Sequence, residues 1–228
     1  MKNTRRRRQN IGYFIGLLLG LSVIAFLSVS WGESYLMPGP SNVGHEDIQC
    51  NDCHIPAKGS FRQQIQANVS YLTGKRPESA DFGRQDVTNN SCLACHHRPD
   101  DRHPVFRFFE PRYKEVREQL KPQFCISCHL EHTGKRVTLN EITYCQHCHK
   151  KLVLKQDPIS VSHADLIRAE RWETCLGCHD FHGNHIMTTA KNVAQVIPSQ
   201  RIIDYFQDGD SPYSDKKYKH ANKEPHYD

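Results

Sequence analysis

Five repeats of one short pattern constrain this chain more than any other feature. The stretches read C-N-D-C-H at 50–54, C-L-A-C-H at 92–96, C-I-S-C-H at 125–129, C-Q-H-C-H at 145–149 and C-L-G-C-H at 175–179. All ten cysteines are used: Cys50 and Cys53, Cys92 and Cys95, Cys125 and Cys128, Cys145 and Cys148, Cys175 and Cys178. A histidine follows every pair, namely His54, His96, His129, His149 and His179. C-x-x-C-H marks covalent attachment of a c-type haem, with two thioether bonds to the porphyrin and the adjacent histidine placed to ligate the iron. The pattern predicts five covalently bound c-type haems.

Two other chemistries use C-x-x-C. A zinc ribbon pairs such motifs but has no need of a histidine after each one. A dithiol redox site is expected once, in a βαβ setting, and not five times. No cysteine is left over for a disulfide or a catalytic thiol.

The intervals between first cysteines are 42, 33, 20 and 30 residues, which excludes a regular solenoid. So few residues per motif cannot build a large side-chain core, so the expected fold is mostly irregular with short α-helices, packed on porphyrin faces. Phe61, Ile65, Val69 and Leu72 recur at helical spacing after the first motif. The polar stretch 74–90, with Pro77 and Gly83, reads as a loop. Pro111 is placed to open a short helix carrying Tyr113, Val116 and Leu120. Thr138-x-x-Glu141 has the form of a capping box feeding Cys145, and Ser162-x-x-Asp165 precedes a helix leading toward Cys175. Further helices are expected over 187–196 and 199–206, divided by Pro198.

Residues 11–32 carry no charge and are rich in Leu, Ile, Val, Phe and Gly. As a helix they would span roughly 33 Å, enough to cross a bilayer core. Four arginines precede them and hold that end in the cytoplasm by the positive-inside tendency. A cleaved signal peptide has a similar outline, but the apolar run is long for one and no A-x-A site follows. The expected organisation is a cytoplasmic basic tail (1–10), a transmembrane anchor (11–32), a linker (33–44), a pentahaem domain in the periplasm (45–206) and a polar flexible tail (207–228). The net charge of +5 comes from Lys2 and the four arginines, so the remainder is balanced and no nucleic-acid surface is indicated.

Only three methionines are present, and Met1 and Met37 lie in or beside the anchor, so methionine cannot be the general second iron ligand. Bis-histidine ligation follows, and it favours low potentials relative to Met/His cytochromes. Six histidines compete for five places: His45, His97, His103, His132, His163 and His182. His97 adjoins His96, so it can serve only a different haem. His185 is a reserve, His147 lies within a motif, and His220 and His226 lie in the tail. Any one of these taken alone could be a solvated surface histidine.

C-L-A-C-H-H at 92–97, C-I-S-C-H-L-E-H-T-G at 125–134 and V-S-H-A-D-L before the fifth motif resemble the class III, cytochrome c3-like multihaem cytochromes. The resemblance covers roughly residues 45–185. It implies that the histidine after C-x-x-C-H and a histidine upstream of a motif serve neighbouring haems, hence such roles for His97 and His163. Five motifs and an apolar N-terminal segment depart from the small soluble members, so haem order and pairing do not transfer. The layout also resembles membrane-anchored periplasmic quinol dehydrogenase cytochromes.

The expected function is electron transfer from the quinol pool or a membrane redox complex to a periplasmic redox protein, with no catalytic residues. The alternatives are a multihaem reductase of a small nitrogen or sulfur oxyanion, which needs an open iron position, and a haem subunit of a larger respiratory complex. Trp31 and Tyr35 beside the anchor are expected to be interfacial aromatics, with a quinol site as the rival reading.

Overall fold

The computed structural model describes residues 2–27, 29, 32 and 34–214. The chain divides into two compact units, Met1–Pro40 and Ser41–Asp228.

The first unit is built on helix α1, Lys2–Leu27. Residues 5–27 are long and apolar enough to cross a membrane, a test that a signal sequence also passes. Its apolar side chains are exposed, Leu19 and Ile24 each at 63%. Trp31 lies outside the described residues, as do His220 and His226.

The second unit is made of short helices joined by irregular segments, with no strand among the described residues but only isolated bridge residues, such as Pro56, Phe82 and Arg84. Its helices are α2 (Cys50–Cys53), α3 (Phe61–Leu72), α4 (Asn89–His96), α5 (Lys114–Gln119), α6 (Gln146–His149), α7 (His163–Arg168), α8 (Cys175–Cys178) and α9 (Ser199–Gln207). The third motif opens with a 3-10 turn, Cys125–Ser127.

Local sequence explains several boundaries. Ser60 caps α3 through a reciprocal box with Gln63, and the Ser162 side chain accepts from Asp165 N to start α7. Pro111 opens a 3-10 turn that runs into α5, where Val116 is buried. Pro198 stands immediately before α9.

Three expectations are corrected by tertiary bonding. Thr138 caps no helix: its hydroxyl donates to Cys128 O and accepts from Leu130 N, and the fourth motif has only the single turn α6. Residues 187–192 are not helical, because Lys191 O is taken by Ser160 N, and only Val193–Gln195 forms a 3-10 turn. The segment after α9 is packed as far as it is described: Tyr213 is buried and donates to Leu176 O, and Arg136 donates to Gly209 O. The rest of the expected tail lies outside the described residues.

Helix α3 forms over the expected span but turns the other way. Its buried side chain is Gln64, which donates to Ala57 O and Gly59 O and accepts from Gly83 N. Asn68 exchanges bonds with Ala80. These polar ties anchor the 74–90 loop, and Phe61, Ile65, Val69 and Leu72 stay exposed.

The protein core is small. Leu176 of α8 packs with Ile202 and Phe206 of α9, and Ile202 is the one side chain fully buried among the described residues. Gly177 lets these two elements close: a Cβ there would lie 2.7 Å from Ile197 O.

Candidate haem-binding site

The second motif lies inside α4, and the other four are one helical turn or less, closed by a bond from the histidine amide to the first cysteine carbonyl. These are His54 to Cys50 at 2.8 Å, His129 to Cys125 at 2.9 Å, His149 to Cys145 at 3.0 Å and His179 to Cys175 at 2.8 Å. Spacings of three and four residues put both thiols and the imidazole on one side of that turn. All ten cysteines are free.

The motif histidines do not stand alone. Ring centres lie 6.3 Å apart for His54 and His132, 5.8 Å for His45 and His96, and 6.2 Å for His129 and His182. His103 and His149 lie 6.2 Å apart, and His163 and His179 lie 6.3 Å apart. With a metal–nitrogen bond of roughly 2 Å and about 1.1 Å from that nitrogen to the ring centre, two imidazoles on opposite sides of one ion stand ~6.2 Å apart. All five pairs match that spacing. The rings meet in twos, and no group of three or more His, Cys, Asp or Glu side chains suited to a bare ion occurs among the described residues.

The cysteines bring the motifs together in turn. Helix α2 packs on α4, and α4 packs on the Cys125–Ser127 turn. The Cys125 thiol hydrogen-bonds Cys92 and holds its pKa down to about 7. Cys145 and Cys175 make the same contact, which raises Cys145 and lowers Cys175. A cavity of about 570 Å³ is bordered by the cysteines and histidines of the fourth and fifth motifs and by both of their facing histidines, His103 and His163. Its other walls are largely apolar, with Phe108, Val116, Leu166 and Trp172 among them.

Burial holds the pKa of His96, His103, His129 and His179 below the usual imidazole value. A lowered histidine pKa means the neutral ring, which is the form that ligates a metal.

Most of the facing histidines come from another motif's segment. The turn after the third motif carries His132 to His54, with His132 at φ 62° and Gly134 at φ 70°. A left-handed histidine is uncommon and is held here by its surroundings. Asn42 donates to Leu130 O and accepts from Thr133, which docks the 42–45 segment on the same turn and sets His45 against His96. The turn after the fifth motif carries His182 to His129. Arg98 clamps it by donating to His182 O, Gly183 O and Asn184 Oδ1. Phe181 in that turn stacks on His103 at 4.2 Å, accepts from its Nδ1, and lies edge-on to His182.

His97 is exposed and its ring meets no motif histidine among the described residues. Its neighbour His96 is the one that meets a second histidine, His45. His185 is buried, bonded to Asp180 and stacked on Tyr213, so it belongs to the α8–α9 core.

Residues 73–150, which contain the second, third and fourth motifs, match the cytochrome c3 family model. That segment of the chain is similar to cytochrome c3. No curated protein and no solved structure matches the chain. That family implies covalent c-type haem with iron, and the thiols, neutral imidazoles and apolar cavity described above fit that group.

Proposed function

We propose that this cytochrome binds five haems, one per motif, and carries electrons from the quinol pool or a membrane redox complex to a periplasmic redox protein. The observation that supports it best is the second histidine facing every motif histidine at one-ion spacing. Bound haem supplies one-electron exchange between ferric and ferrous iron. The axial pairs that would hold the irons are His54 with His132, His96 with His45, His129 with His182, His149 with His103, and His179 with His163. Two imidazoles on each iron would leave no position for substrate, which supports a carrier over a reductase of oxyanions.

The sulfur contacts between Cys92 and Cys125 and between Cys145 and Cys175 support close neighbours at motifs two and three and at motifs four and five. Phe181, touching both His103 and His182, supports a link between motifs three and four. Helix α1 with its four arginines supports an anchor in the cytoplasmic membrane, with the haem-binding residues on the far side.

The full chain purified from membranes tests this reading. Its mass is expected to exceed the polypeptide by five haems, its spectrum to be low-spin throughout, and its haems to accept electrons from a quinol. Fewer haems per chain, or a mainly high-spin spectrum, would overturn it.

A further inference from the structure

The five facing histidines differ behind the ring. Once Nε2 is committed to iron, Nδ1 must carry the proton and donates it to whatever lies behind. His45 Nδ1 meets Glu131 Oε1 at 2.6 Å. His182 Nδ1 meets Asp101 Oδ2 at 3.1 Å, and His163 Nδ1 lies 3.0 Å from both Asp157 oxygens. His103 Nδ1 meets a neutral carbonyl, Phe181 O, at 2.6 Å, and His132 Nδ1 is buried with no protein partner.

Resting on the axial pairs proposed above, we propose that Glu131, Asp101 and Asp157 are positioning residues that set haem potential. They lower the potentials of the haems at motifs two, three and five relative to those at motifs one and four. A carboxylate accepting the Nδ1 proton makes the imidazole a stronger donor and fixes its ring plane, and a stronger donor favours the ferric ion. A neutral carbonyl does this less.

Sequence spacing supports a built arrangement. Glu131 is next to His132 yet serves His45, and Asp101 is two residues from His103 yet serves His182. Glu131 and Asp101 thus each hold the ligand of one haem from the segment that ligates another, whereas Asp157 holds His163 of its own segment. Asp101 is the least exposed of the three at 17%, against 21% for Asp157 and 34% for Glu131. Screening by water is weakest there, so its effect is expected to be the largest.

The test is a spectroelectrochemical titration of the full-length holoprotein with Asp101→Asn, Glu131→Gln and Asp157→Asn, paired with paramagnetic resonance at low temperature. Each variant should keep all haems low-spin and raise the potential of one haem. The expected shift is on the order of tenfold in that haem's reduction equilibrium, or ~59 mV for a one-electron couple. Glu46→Gln removes an equal charge beside His45, but its carboxylate accepts from Gly44 N and not from the ring. It should leave the potentials unchanged. Low-spin spectra with unaltered potentials in all three variants would overturn the proposal, as would a Glu46→Gln shift equal to that of Glu131→Gln. His45→Ala and His182→Ala test the axial pairs separately: each should convert one haem to high spin, and failure of both would overturn the pairing itself.

Discussion

Single residues carry this protein's connectivity. His132 lies seven positions after Cys125, yet its ring stands over His54 of the first motif. His132→Ala should therefore leave the third motif's haem intact and turn one low-spin haem, that of Cys50 and Cys53, high-spin. Resonance spectra of the variant, with the affected haem identified by comparison with His54→Ala, check this. An unchanged spectrum would make His132 a surface residue. That some histidines must face the motif histidines was legible from the shortage of methionine. Which ones was legible only in part. His45, His103, His132, His163 and His182 were all candidates, but His97 was as strong a candidate on spacing and stands exposed. Spacing cannot distinguish them, because a ligand's direction depends on the turn that carries it. The Arg98 clamp and the left-handed backbone at His132 are tertiary features.

Elements here are short, and most owe their limits to contacts elsewhere. Ser162 caps as its sequence pattern predicts, and Ser60 caps α3 in the same way. Thr138 has a similar pattern but is captured by the third motif's backbone, so its helix never starts. The 187–192 segment is likewise drawn into bonding with Ser160. The hydrophobic period of α3 predicted a helix correctly, but the protein contacts fall mainly on its polar face, through the loop bonds of Gln64 and Asn68, while Phe61 meets Phe82. The α8–α9 junction offers a clean test. Gly177→Ala would push a Cβ to 2.7 Å from Ile197 O, against backbone that cannot swing away. It should destabilise the unit by about 1–3 kcal/mol, as overpacking does, and lower the thermal midpoint of the holoprotein. An unchanged midpoint would mean that the junction relaxes freely.

Taken whole, the polypeptide has too little core to fold on its own. Leu176, Ile202 and Phe206 form the buried cluster, and the other buried hydrophobics are few among the described residues. The cavity between the fourth and fifth motifs is lined by apolar side chains that a bound porphyrin would cover. A version with all ten cysteines changed to serine, exported but unable to bind haem covalently, should show the far-UV circular dichroism of a largely unfolded chain outside α1. Small metal domains lose their fold in the same way without their metal. Retention of native-like dichroism in residues 41–228 would refute this. The sequence by itself determined the cofactor chemistry, the number of attachment motifs, the helical and irregular character, and the apolar N-terminal helix. Each of these depends on residue type at fixed local spacing. Only the tertiary structure decided which histidine faces which motif, which carboxylate stands behind it, and which capping patterns are used. Those outcomes depend on contacts between residues up to about ninety positions apart, such as Asn42 with Thr133, which no local pattern encodes.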